Sequence, residues 1–89
     1  MAKKIKEKVL KYNVIFQAEP EGGYTVIVPT LRGCVTYGRT LEEARDMARE
    51  AIECYLVGLV DDGEEVPTDE NSFFSVLDFG MSEIRIANA

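Results

Sequence analysis

The chain contains no histidine. That removes Ser-His and Cys-His nucleophile pairs, imidazole general bases and His-containing zinc sites. Cysteine is scarce too: Cys34 and Cys54 have neither a Cys-x-x-Cys spacing nor a neighbouring base. They read as reduced thiols acting as small buried hydrophobes, with a Cys34–Cys54 disulfide open on parity alone. No apolar run approaches the roughly 18 residues needed to span a membrane. The basic start is not followed by a signal-peptide core, because Lys11 interrupts Val9-Leu10. A cytoplasmic chain is expected.

Basic residues are also rare beyond the first turn's worth of chain. Residues 1–11 hold five Lys and one Glu, for +4, whereas residues 12–89 hold five Arg against fifteen acids, for −10. An acidic body disfavours phosphate backbones and favours a basic partner. Residues 1–7 read as a flexible, solubilising basic terminus. The 89 residues allow one small domain with a limited core, for which oligomerisation is a natural supplement.

What is present follows a clear order. From residue 8 to 19, Leu10, Tyr12, Val14, Phe16 and Ala18 alternate with Lys11, Asn13 and Gln17, which predicts a strand. Pro20-Glu21-Gly22-Gly23 is a turn, and Tyr24, Val26 and Val28 share one face of a second strand. Pro29 cannot donate to a ladder and should end or edge that strand. Cys34-Val35-Thr36-Tyr37 is a third short strand, and Gly33 and Gly38 read as backbone-geometry residues. Thr40 and Glu43 form a capping box, with Glu43 expected to reach back to the amide of Thr40.

The helix predicted from Leu41 to about Val60 carries Leu41, Ala44, Ala48, Ala51, Ile52, Tyr55 and Leu59 on one stripe. Met47, Cys54 and Leu56 widen it. Asp61-Asp62-Gly63 should stop the helix, and residues 64–71 read as a loop. Ser72 to Phe79 is either a short strand or an irregular packing segment, and Glu83-Ile84-Arg85-Ile86 is the candidate last strand. The expected fold is a two-layer α+β domain, βββαβ, spanning residues 1–89, with the helix on a mostly antiparallel sheet.

One set of residues carries a resemblance. It comprises Gly22-Gly23-Tyr24-x-Val26-x-Val28-Pro29-x-Leu31-x-Gly33-Cys34, then Gly38-x-Thr40-Leu41-Glu42-Glu43-Ala44. Arg49-Glu50-Ala51-Ile52 and Asp62-Gly63-Glu64-Glu65-Val66-Pro67 continue it. Over residues 9 to 67 the chain resembles the N-terminal domain of HicB-type antitoxins. The resemblance implies a truncated ribonuclease H-like arrangement. It further implies a non-enzymatic protein that neutralises a small basic RNA-cleaving toxin, HicA, by covering its active surface. Such antitoxins are commonly oligomeric, and many add a C-terminal ribbon-helix-helix or helix-turn-helix. This sequence ends at Ala89, leaving no room for that module, so sequence-specific DNA binding is not expected. The competing reading is a solitary relative: an oligomeric interaction module without a toxin.

A ribonuclease H-like outline also invites a nuclease reading. Two-metal chemistry needs clustered carboxylates on neighbouring faces, and the first three strands offer only Glu19 and Glu21, at the turn. No catalytic residue, cofactor or metal site is expected. The partner-binding candidates are Glu19, Glu21, Tyr24 and Tyr37, together with the acidic run Asp61, Asp62, Glu64 and Glu65. Sheet-face packing competes for each tyrosine, and helix termination and loop solubility compete for the acids. Phe73, Phe74 and Val76 are the oligomer-interface candidates, as part of an apolar stretch that one thin helical layer does not cover.

Overall fold

A computed structural model describes residues 8–84. Three strands, β1 (Ile15–Ala18), β2 (Tyr24–Ile27) and β3 (Val35–Gly38), form one antiparallel sheet in the order β1-β2-β3. One long helix, α1 (Leu41–Asp61), packs mainly on β3 and less on β2. The architecture is α+β, with the helix on one face of the sheet, as the sequence pattern predicts.

The register follows from the alternation. Phe16 pairs with Val26 and Val26 with Thr36, so these three share the helix side. Val26 is fully buried there against Ala44 and Ala48, with Val14, Phe16 and Tyr24 around them. A second cluster gathers Val28, Leu31 and Cys34 beneath Ala51, Ile52, Tyr55 and Leu56. Burying side chains such as Val28 and Leu31 contributes about 1.5–3 kcal/mol each.

β1 is shorter than the alternation from residue 8 suggests, and Pro29 accounts for it. β2 stops at Ile27, two residues before Pro29, so the chain preceding Ile15 has no ladder partner on that side. Residues 11–13 bond elsewhere: the Asp69 amide donates to the Lys11 carbonyl at 2.8 Å, and the Lys11 amide donates to Thr68 Oγ1 at 3.1 Å.

The ends of α1 are set by local chemistry. Thr40 Oγ1 accepts from the Glu43 amide at 3.0 Å. Glu43 Oε2 reaches one residue further back than expected and accepts from the Arg39 amide at 3.2 Å. At the other end, the Gly63 amide donates to the Val60 carbonyl and the Glu64 amide to the Leu59 carbonyl, with Gly63 at φ 70°. That pair of bonds is a Schellman motif, and it needs a residue that tolerates the left-handed region.

Three expectations need correcting. Cys54 is exposed, unlike buried Cys34, and both thiols are free. Cys54 lies six residues beyond Ala48, about 240° around the helix, so it points off the sheet. Ser72 to Phe79 is neither a strand nor packed on the body: it has no regular structure and every residue is exposed. The radius of gyration is accordingly 18.4 Å, against about 12 Å for a packed chain of this length. Of the candidate last strand, Glu83 closes a short 3-10 helix, Met81–Glu83, and Ile84 follows it. Arg85 and Ile86 lie outside the described residues, as does the terminus 1–7.

Candidate functional site

The helix covers one sheet face and leaves the other open. Two cross-strand rows line the open face: Ile15, Ile27 and Val35, then Gln17, Thr25 and Tyr37. Val35 and Tyr37 are 57 % and 48 % exposed. The second row runs into the β1–β2 turn. There Thr25 Oγ1 donates to Glu19 Oε2 at 2.7 Å, and the Tyr37 hydroxyl donates to the Gly22 carbonyl at 3.0 Å. The hydroxyl end of Tyr37 also sits against Gly23, where a Cβ would overlap it. Glu19, Glu21 and Tyr37 are thus brought together at one end of the sheet. Tyr24 is not with them: it faces the helix side and packs on the Val26 cluster.

The second acidic group sits elsewhere. Gly38, at the turn end of the sheet, precedes the start of α1, so the helix runs back along β3 away from the turn. Its 21 residues carry the chain about 30 Å. Asp61, Asp62, Glu64 and Glu65, all exposed, therefore lie at the far end. Of the eight candidates, the fold places Glu19, Glu21 and Tyr37 at one pole and Asp61, Asp62, Glu64 and Glu65 at the other, with Tyr24 at neither. Among the described residues no group of three or more His, Cys, Asp and Glu side chains could hold a metal ion, and no helix is long and apolar enough to cross a membrane.

A third polar feature was invisible in the sequence. Asp69 Oδ2 accepts from the Asn13 amide at 2.9 Å, while Oδ1 accepts from the Thr30 hydroxyl. The Tyr12 hydroxyl donates to the Pro67 carbonyl alongside. These bonds clasp the post-helix loop to the start of β1 and to the β2–β3 connection. The Thr30 hydroxyl, and then the Asn13 amide, hold the Asp69 carboxyl below the usual aspartate range. Burial, and then the Asp69 charge, push the Tyr12 phenol up. Asp69 is 39 residues from Thr30 and 56 from Asn13, so no local pattern announces it.

The domain region of a described family covers residues 12–78, from Tyr12 through the clasp to Asp78: the HicB-like antitoxin of bacterial toxin-antitoxin systems. The chain belongs to the HicB-like antitoxin family. Among similar relatives, the UPF0150 protein of Thermoplasma acidophilum is 42 % identical over 60 residues, covering 67 % of this chain and 87 % of that one. The UPF0150 protein of Synechocystis sp. is 36 % identical over 64 residues, covering 72 % of this chain and 81 % of that one. Antitoxin HicB 1 of Photorhabdus laumondii is 35 % identical over 60 residues, 67 % of this chain but 39 % of that longer protein. The HicB-like region takes in the candidates at both poles, and also Phe73, Phe74 and Val76, which the structure leaves 83 %, 56 % and 84 % exposed.

Proposed function

We propose that this HicB-like chain is the antitoxin of a pair, binding a small basic RNA-cleaving toxin of the HicA type and masking its active surface. Membership of the HicB-like antitoxin family over residues 12–78 carries this reading. The charge distribution supports it: residues 12–89 hold −10, and the exposed acids stand at both ends of the domain. Complementary charge speeds encounter with a basic partner and rejects wrong ones. The role is non-enzymatic: the chain acts by occupying a surface in the cytoplasm, without metal, cofactor or sequence-specific DNA contact.

The test pairs the purified chain with the small basic protein encoded beside it in its host. Stoichiometric suppression of that protein's RNA cleavage is the expected result. Undiminished cleavage at saturating antitoxin overturns the reading. A second reading, a HicB-like oligomeric interaction module without a toxin, is favoured by the exposed apolar stretch beyond the clasp. An affinity pull-down from the host that recovers only further copies of this chain would support that reading.

A further inference from the structure

Because α1 sits mainly over β3 and β2, the helix-side face of β1 is only partly covered, Phe16 being half-buried. The result is an apolar groove of about 680 Å³. Tyr12, Val14 and Phe16 line it from the β1 side and Ile52 and Leu56 from α1, with the charged side chains Arg45, Arg49 and Glu53 of α1 also in the lining. Among the described residues β1 is also a sheet edge, bonded to β2 on one side only, so its outer amides and carbonyls are open to a further strand.

The same chain carries a segment with matching properties. From Ser72 to Ile84 every residue is exposed, and Phe73, Phe74, Val76, Leu77, Phe79, Met81 and Ile84 are among the exposed large hydrophobics. An apolar stretch of that length standing in water is unfavourable in an isolated copy. The Asp69 clasp fixes where it leaves the body, and beyond Ser72 every described residue is exposed and none lines its own groove.

The geometry points to a strand-exchanged dimer: residues 72–84 of each copy lie along β1 in the groove of the other. In an extended strand Phe74, Val76 and Asp78 share one side. With Phe74 and Val76 on the groove walls, Asp78 meets Arg45 and Arg49. That charge match and the projecting apolar strand select a second copy over an unrelated partner. The exchange is reciprocal, so the assembly closes with two-fold symmetry. It also completes each core, because a strand supplied in trans covers what a single helix leaves bare. The inference is independent of whether a toxin exists.

Light scattering of the full chain at micromolar concentration tests it, with a dimer expected. Phe74→Asp combined with Val76→Asp should give a monomer with an unchanged helical circular dichroism spectrum, since both side chains are exposed in their own copy and belong to neither core cluster. Asp78→Arg should raise the dimer dissociation constant about two- to fivefold, and adding Arg49→Asp should restore it. Exchange itself is read by mixing two variants on a Cys54→Ser background, Ile52→Cys and Val76→Cys. A disulfide between them can only join different copies, and it should form faster than one between Tyr37→Cys and Val76→Cys. A monomeric wild-type chain overturns the proposal, because the segment then folds onto its own groove or stays free. A dimer that survives the double Asp substitution, or equal cross-linking to Tyr37→Cys, also overturns it by placing the interface elsewhere.

Discussion

Gly38 lies directly beneath Ala44: a Cβ on Gly38 would overlap the amide nitrogen and Cα of Ala44. Backbone on both sides leaves no flexible side chain to yield. This contact sets how closely α1 approaches β3, and with it how tightly Ala44 and Ala48 close over Val26. Gly38→Ala should therefore cost about 1–3 kcal/mol as an overpacking substitution. Urea denaturation followed by circular dichroism measures it. An unchanged midpoint would show that the helix can lift off the sheet at no cost.

Opposite signs are expected at two positions of α1. Thr40→Ala removes the acceptor for the Glu43 amide and should lower stability by about 1 kcal/mol. Gly58 lies in the helix interior with open space where a Cβ would stand. Gly58→Ala should raise stability by about 0.5–1 kcal/mol. Thermal melts of the two variants should bracket the wild-type chain.

The clasp should fail at both extremes of pH. Asp69 titrates below its ordinary range in the folded chain because Thr30 and Asn13 donate to its charged form. Its contribution is complete above the ordinary aspartate range and disappears as pH falls through the lowered folded value. Tyr12 is shifted upward, first by burial and then by Asp69. Its contribution is complete below the ordinary tyrosine range and disappears as pH rises through the raised value. Asp69→Asn should remove the acid-side loss and leave the alkaline one. Hydrogen exchange at the Asn13 amide, followed across pH, reports the opening, and protection of that amide independent of pH would contradict it.

The two acidic poles should act differently on a basic partner. Tyr37 stands beside Glu19 and the apolar row of the open sheet face, the setting of an affinity anchor. Tyr37→Ala should speed dissociation about tenfold or more. Neutralising Asp61, Asp62, Glu64 and Glu65, about 30 Å away, should slow association in low salt and leave dissociation nearly unchanged. Stopped-flow or surface-binding kinetics with the proposed toxin partner separates the two effects. A change only in dissociation from the four-acid variant would place the contact at the helix end instead.

Local chemistry was legible from sequence wherever neighbours decide the outcome. Thr40 and Glu43 announced the helix start, Asp61-Asp62-Gly63 its end, and the alternation through Phe16 and Val26 the face that meets it. Each depends on hydrogen bonds or side-chain directions within a few residues, or across one tight turn. Family membership was legible for the same reason, since the glycines, Pro29 and the Thr40 cap that hold this geometry also make the motif. Contacts between distant segments were decided only by the tertiary structure. Asp69 finds Thr30 and Asn13 because the loop after α1 returns to β1, and Cys54 faces water because the helix settles over β3 and β2. The apolar composition of Phe73 to Phe79 marked a segment that must be covered, but composition carries no direction. Its exposure follows from a helix that covers two strands of three and a clasp that sends the chain outward.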